Sequence, residues 1–213
     1  MDKGLSNILK ELRRYGLLLE SDKFLPSVVG TITGKKISRS WWGHKKGNEI
    51  FRALHELSDR KDVLMTKLIS GKVTFIHKKL WMDFLTVANS NELWQLEALS
   101  NEASKLLKMV NKKGIIHTEK LPKNLFNTPN KIGAVVRELE KRILVYSFQT
   151  HTDMGAHAKT IENWAHWMRR KKIPSKQIVS VQDAKAKFEN LVSGLNRKFG
   201  GNGKLPWARM RPF

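Results

Sequence analysis

Apolar residues recur at three- and four-residue steps over much of the chain, and that spacing predicts amphipathic helices. Leu5, Ile8, Leu9, Leu12 and Leu18 make one stripe over residues 5–19, interrupted by Gly16. Ile50, Phe51, Leu54 and Leu57 make another over residues 49–57, followed by a short helix over 81–87. Leu93, Leu96, Leu99, Ala103, Leu106, Leu107 and Val110 form one long stripe over residues 91–110, with Gly114 as its stop. Ala184, Phe188, Leu191, Val192 and Leu195 mark a last helix over 181–199. Residues 24–36, with Pro26, a β-branched run and two glycines, read as an irregular connection holding at most a short strand.

Two stretches switch to a period of two, the spacing of strands. Residues 63–69 and 72–79 alternate around Ser70-Gly71, where Gly71 supplies the positive φ of a tight turn. Pairing across that turn puts Leu64, Leu68, Val73 and His77 on one face and Lys67, Lys72 and Lys78 on the other. The second stretch follows a helix over 129–142 that opens at Thr128-Pro129, a hydroxyl cap before a proline that loses no bond. Its apolar stripe is Ile132, Val135, Val136, Leu139 and Ile143, while Asn130, Gly133, Ala134, Arg137 and Lys141 line the other face. Leu144, Tyr146 and Phe148 then alternate with Val145, Ser147 and Gln149 as a strand. A turn-rich run over 150–155 leads to a second extended piece and a helix carrying Ile161, Trp164, Ala165 and Met168. Upstream, Ile115 and Ile116 open a short strand, with a short helix near 121–126 before Thr128.

Helix, strand, loop, strand, helix is the order at the core of a winged helix-turn-helix, and VVRELEKRILVYS resembles the recognition-helix-into-wing segment of winged-helix DNA-binding proteins. An amphipathic helix beside a hairpin in another α+β domain carries the same pattern. Helix 49–57, hairpin 63–79 and helix 81–87 repeat the order of helix 129–142, hairpin 144–160 and helix 161–170. The expected fold is therefore α+β, mostly helical, with two tandem winged-helix-like units. Residues 1–90 form the first, 91–114 a connecting helix, 115–172 the second, and 173–213 a C-terminal helix and basic tail. That tail either stays flexible until it binds or straps across the surface through Trp207.

Charge narrows the partner. Forty Lys and Arg against 19 Asp and Glu give +21 over 213 residues. Such an excess repels itself in a compact state, so a polyanion is the natural partner: nucleic acid, with double-stranded DNA first and RNA second. A membrane is not expected, since no apolar run approaches the roughly 20 residues a crossing needs. Without cysteine there are no disulfides, thiolate zinc sites or cysteine nucleophiles. P-loop, HExxH, GxSxG and dinucleotide fingerprints are missing too, so no cofactor and no metal are expected. The N-terminus lacks a secretory leader pattern, which points to a cytoplasmic, nucleoid-associated protein. Oligomeric state stays open.

Three groups of residues are candidates for contact or chemistry. Asn130, Lys131, Arg137 and Lys141 would enter the major groove from helix 129–142. In FQTHTDMGAHAK, the residues Gln149, His151, Asp153, His157 and Lys159 fit a wing on phosphates, a solvated loop, or a catalytic or metal site. Arg169, Arg170, Lys171 and Lys172 would clamp the backbone. Beside these, Trp41 and Trp42 sit in a loop with Lys45 and Lys46: either both plug the core, or one enters it and leaves the other to stack on a base. The tandem arrangement also resembles the bacterial crosslink-repair DNA glycosylases, whose Gln-x-Gln motif is implicated in base release. Here the match is Gln149-Thr150-His151, with histidine at the second position. That resemblance implies a catalytic Gln149 assisted by His151 or Asp153, and makes a repair glycosylase the alternative to a DNA-binding protein.

Overall fold

The computed structural model describes residues 3–35, 37, 40–122, 132–151, 157–174 and 179–210. The chain folds as two compact units, Met1–Val87 with Val179–Phe213, and Ala88–Ile178. Helices dominate and each unit holds one three-stranded sheet, which is the mostly helical α+β class expected.

In the first unit, α1 (Lys3–Tyr15) ends at Gly16, whose φ is +78°. A Cβ there would also lie 2.8 Å from Leu80 Cδ1, so turn and packing both require glycine. Leu17, Leu18 and Leu19, expected as the end of the helix, instead form strand β1 (Leu17–Leu19). The segment expected to be irregular holds α2 (Val28–Thr33), capped by the Ser27 hydroxyl on the Gly30 N–H and closed by Gly34 at φ +68°. Next, α3 (Gly47–Asp59) buries Ile50, Ala53 and Leu57, whereas Phe51 turns outward from the stripe assigned to it.

Strands β2 (Val63–Lys67) and β3 (Val73–His77) form the hairpin, and β1 pairs with β3 to give the order β1-β3-β2. Their register pairs Val63 with His77 and Leu64 with Ile76. This is one residue away from the pairing assumed around Ser70-Gly71, so Leu64 shares a face with Ile76 and Lys67 shares one with Val73. The cause is the turn: Ile69–Gly71 is a 3-10 turn with Ser70 and Gly71 both at positive φ, longer than a two-residue link. After α4 (Trp81–Ala88), the unit is completed by α9 (Val181–Phe199), which buries Ala184, Phe188, Val192 and Leu195. The segment after α9 straps onto this unit. Trp207 is buried edge-on against Phe188 and donates to Glu189, and the Ser70 N–H donates to the Lys204 carbonyl at 2.7 Å. Ile8, Leu12, Val29, Ile50 and Phe75 centre the core between α1, α2, α3 and the sheet.

In the second unit the single helix expected over 91–110 is two, α5 (Leu93–Leu96) and α6 (Asn101–Lys113). Ala98 at φ +54° breaks it, and Leu93 and Leu96 are exposed. The Arg142 guanidinium donates to the carbonyls of Trp94, Gln95, Glu97 and Ala98 that the break leaves open. The Glu138 carboxylate takes the Ser100 N–H and hydroxyl at 2.8 and 2.7 Å, fixing the start of α6. Gly114, at φ +81°, ends it as expected. Strand β4 (Ile115–His117) and a 3-10 turn (Thr118–Lys120) follow. The helix start at residues 128–129 and most of the short helix near 121–126 fall outside the described residues.

From α7 (Ile132–Lys141) the chain turns through Ile143 at φ +48° into β5 (Tyr146–His151) and β6 (His157–Glu162), with sheet order β4-β6-β5. Leu144 and Val145, expected in the strand, are buried before it starts. Ile161, expected to open the last helix, pairs with Ile116 in the sheet. The helix α8 (Trp164–Arg170) begins later, after Asn163 caps the His166 N–H. Val136, Leu139, Leu106 and Ile161 centre this core. Among the described residues one succession occurs in both units, a helix, an edge strand, then a helix and a hairpin whose second strand takes the centre of the sheet, with two helices, α2 and α3, before the hairpin in the first unit.

Candidate nucleic-acid interface

Of the apolar stripe of α7, Val135, Val136 and Leu139 are buried and Ile132 is half-buried, with Ile143 buried just beyond the helix. Ala134, Arg137 and Lys141 are exposed on the opposite side, and the Arg137 guanidinium lies over Gly133, 4.0 Å from where a Cβ would sit. Arg137 forms no ion pair among the described residues. Asn130 and Lys131, assigned to the same face, lie outside them.

The hairpin brings part of the predicted wing together. Gln149 stands opposite Lys159, and Ser147 two residues along shares their face of the sheet. His151 and His157 are also cross-strand partners by register, nearer the turn. Asp153 and residues 152–156 lie outside the described residues, as do the side chains of the two histidines. Lys159 is not a lone wing cation: its ammonium sits 2.8 Å from the Glu140 carboxylate. Glu140 is buried on α7 and also accepts from the Ser147 hydroxyl. Helix and hairpin are thus joined by a carboxylate that pattern reading passed over. Its neighbours in sequence gave no sign, because a glutamate one position from an exposed lysine reads as solvated. Only the burial of Leu139 on the same turn hints otherwise.

The basic run after Trp167 divides. Arg169 is exposed in the last turn of α8, and Lys172 is exposed just beyond it at φ +55°. Lys171, at the C-cap, is half-buried. Arg170 instead turns back on Glu162, which is fully buried on β6, with Nε at 2.9 Å and Nη2 at 2.7 Å from its oxygens. His166 Nδ1 is 2.5 Å from the same carboxylate. The hydrogen bonds to Glu162 hold the Arg170 guanidinium above its ordinary pKa against the opposing effect of burial. Arg170 is therefore occupied by the fold.

The tryptophan pair also divides. Trp41 is buried and its indole N–H donates to Glu20 at 2.8 Å. Trp42 is 68 % exposed, stacked on Trp41 with ring centroids 4.5 Å apart and planes 18° from parallel. Of the flanking lysines, Lys45 is exposed, while Lys46 is half-buried and donates to the Ile32 carbonyl at 2.6 Å. Phe51 of α3 comes within 6.2 Å of the Trp42 ring. Between them is an open cleft of about 450 Å³ lined by Trp42, Gly43, His44, Lys45, Gly47, Asn48 and Phe51. Helical spacing puts Phe51 on the stripe of Ile50, Leu54 and Leu57, and carries no signal of its place at this cleft.

Among the described residues no three His, Asp or Glu side chains converge as metal ligands, and no helix is long and apolar enough to cross a membrane. What the two sites offer is cations, amides and an aromatic surface, which suits recognition of an anionic, base-bearing polymer. No curated protein and no solved structure matches the chain. A family model described as AlkZ related matches residues 4–199. With nearly the whole chain spanned by that match, the protein belongs to the AlkZ-related family.

Proposed function

We propose that this protein binds double-stranded DNA in the service of repair, with α7 entering the major groove and the β5–β6 hairpin acting as a wing. The observation that carries the reading is the division of α7. One side is packed into the core through Val135, Val136 and Leu139, the other presents Ala134, Arg137 and Lys141, and an antiparallel hairpin follows directly in a three-stranded sheet. A recognition helix needs that arrangement, because a groove admits a helix only if one side is free of its own protein. The recurrence of the same element order in the first unit supports tandem winged-helix-like units. AlkZ is a DNA crosslink-repair glycosylase, so family membership supports a repair setting and DNA as the partner. Arg169, Lys172 and the rest of the +21 excess would neutralise phosphates without selecting sequence.

A second reading, base release, is favoured by the position of Gln149. Hydrolysis needs a water whose oxygen bonds the sugar C1′ while the glycosidic bond breaks, its electron pair leaving with the base and the water's proton passing to solvent. Gln149 is exposed opposite Lys159, with Ser147 two residues along the same strand and Glu140 of α7 bonded to both Ser147 and Lys159. Its amide would hold that water, and the aligned Glu140–Lys159 pair would keep the hairpin in place on α7.

One set of assays tests both. Duplex DNA, intact or alkylated, is titrated against the protein across a range of salt. Arg137→Ala should weaken duplex binding by about 1–3 kcal/mol without changing stability. Unchanged affinity would reject α7 as the groove-facing element. Abasic-site formation on the alkylated duplex, lost in Gln149→Ala with binding retained, would establish the second reading. No product from the unaltered protein would reject it.

A further inference from the structure

Trp42 and Phe51 are two large aromatic rings exposed side by side, 68 % and 51 %, and nothing in the duplex-binding reading uses them. Their surroundings are built to keep them there. Trp41 is anchored through Glu20 and stacks beneath Trp42, so one face of the Trp42 ring is covered and its tilt is held. Phe51 stands on the rigid helix α3 at 46° to that ring and makes the second wall. Gly47 lets the loop backbone close tightly under the pair, since a Cβ there would crowd the Trp42 carbonyl at 3.3 Å. The volume of about 450 Å³ falls within the range of roughly 300–1,000 Å³ usual for small-ligand sites.

The polar lining selects the occupant. Lys45 is exposed at the rim, and Asn48 offers an amide with both donor and acceptor atoms. His44, which lines the cleft, accepts the Lys46 N–H on Nδ1 at 3.1 Å, so its Nε2 is the donor of the neutral ring. No carboxylate lines the cleft, and Glu49, nearest in sequence, is turned to Lys46 at 3.9 Å. An apolar peptide would need neither the cation nor the amide. A base with its phosphate uses all three: the π-face on Trp42, the edge on Asn48, the phosphate on Lys45.

We propose that this cleft binds a single unpaired nucleobase together with its phosphate, independently of the face of α7. The inference rests on the reading of the protein as nucleic-acid-binding and adds single-stranded or extrahelical bases as a ligand class. Stacking tolerates any base, so the site would hold a displaced nucleotide whatever its identity.

The test uses the full chain, a short oligothymidylate, and an oligomer of the same length whose residues carry sugar and phosphate but no base. Trp42→Ala should weaken oligothymidylate binding on the order of tenfold, Trp42→Phe should restore most of it, and the baseless oligomer should be indifferent to both. Phe51→Ala gives a second probe of the same cleft, and both side chains are exposed enough that folding is retained. Equal loss on the baseless oligomer, or no loss on either, would overturn the proposal. Duplex binding lost in Arg137→Ala but not in Trp42→Ala would separate the two sites. If duplex affinity is present and oligothymidylate affinity is not, the cleft proposal alone fails; if neither polymer binds, both fail.

Discussion

At the scale of single residues, the fold is held by charged side chains placed on backbone atoms or on one another, and these govern its response to acid. Asp22 accepts from the Phe24 and Leu25 N–H groups at 2.8 Å each and from Lys72 at 2.7 Å. Burial, the largest influence, raises its pKa, but the lysine and the two N–H groups together hold it below the ordinary 3.8. His77 is pushed below its ordinary 6.5, chiefly by burial, with Lys79, Arg13 and Lys78 adding repulsion and Asp62 opposing. For both groups the folded state binds protons less readily than the unfolded chain. Stability linked to His77 is therefore complete above about pH 6.5 and declines as pH falls through the lower folded value; that linked to Asp22 is lost further down, below pH 3.8. Urea midpoints measured from pH 8 downward should begin to fall near pH 6.5, and His77→Gln should remove that upper part of the decline while leaving the lower one.

At the scale of elements, the turn at residues 68–72 explains what pattern reading reached and what it missed. The alternation of β2 and β3 was legible, yet the register was not. The turn is closed by the Ser70 N–H on the Lys204 carbonyl and by the Lys204 N–H on the Ser70 hydroxyl, partners far away in sequence. A local reading finds only Ser-Gly and assumes the shortest link. β1 escaped because all three of its leucines are buried, leaving no alternation to detect. Six-residue α2 is too short for a period, although both of its caps, Ser27 and Gly34, were in plain view. By contrast α7 and α9 were legible, being long, one-sided and bounded. Of the candidate site, the exposed face of α7 is legible and the split between Trp41 and Trp42 is one of two readings the sequence leaves open, but Glu140, Phe51 and the turn of Arg170 onto Glu162 depend on neighbours that only folding supplies. The last of these separates two adjacent arginines by experiment. Glu162 is fully buried while Arg170 is 41 % exposed and His166 stays on the same carboxylate, so Arg170→Ala should lower stability by about 1–3 kcal/mol, read as a lower unfolding midpoint. Arg169→Ala should leave stability unchanged while weakening DNA binding alike for all sequences and reducing the salt slope by about one phosphate contact. A loss of stability in Arg169→Ala with none in Arg170→Ala would reverse the assignment.

At the scale of the whole molecule, the first unit is assembled from two stretches of chain separated by the second. Gly203 marks how closely they meet: a Cβ there would lie 2.8 Å from both Ile69 Cγ2 and Leu25 Cδ1. Asn196 clasps the same residue, accepting its N–H at 2.8 Å and donating to its carbonyl at 2.9 Å. Gly203→Ala should therefore destabilise the first unit by about 1–3 kcal/mol, read as a shift in its unfolding midpoint, with no effect if the strap is loosely held. This connectivity also sets an order of events. Residues 88–178 are contiguous and leave the ribosome together, whereas the core of α1, α2, α3 and the β1–β3 sheet leaves first and gains α9 and the strap only after the second unit has been made. The second unit is thus the one that can be completed first during synthesis, and the unit begun earliest is the one finished last.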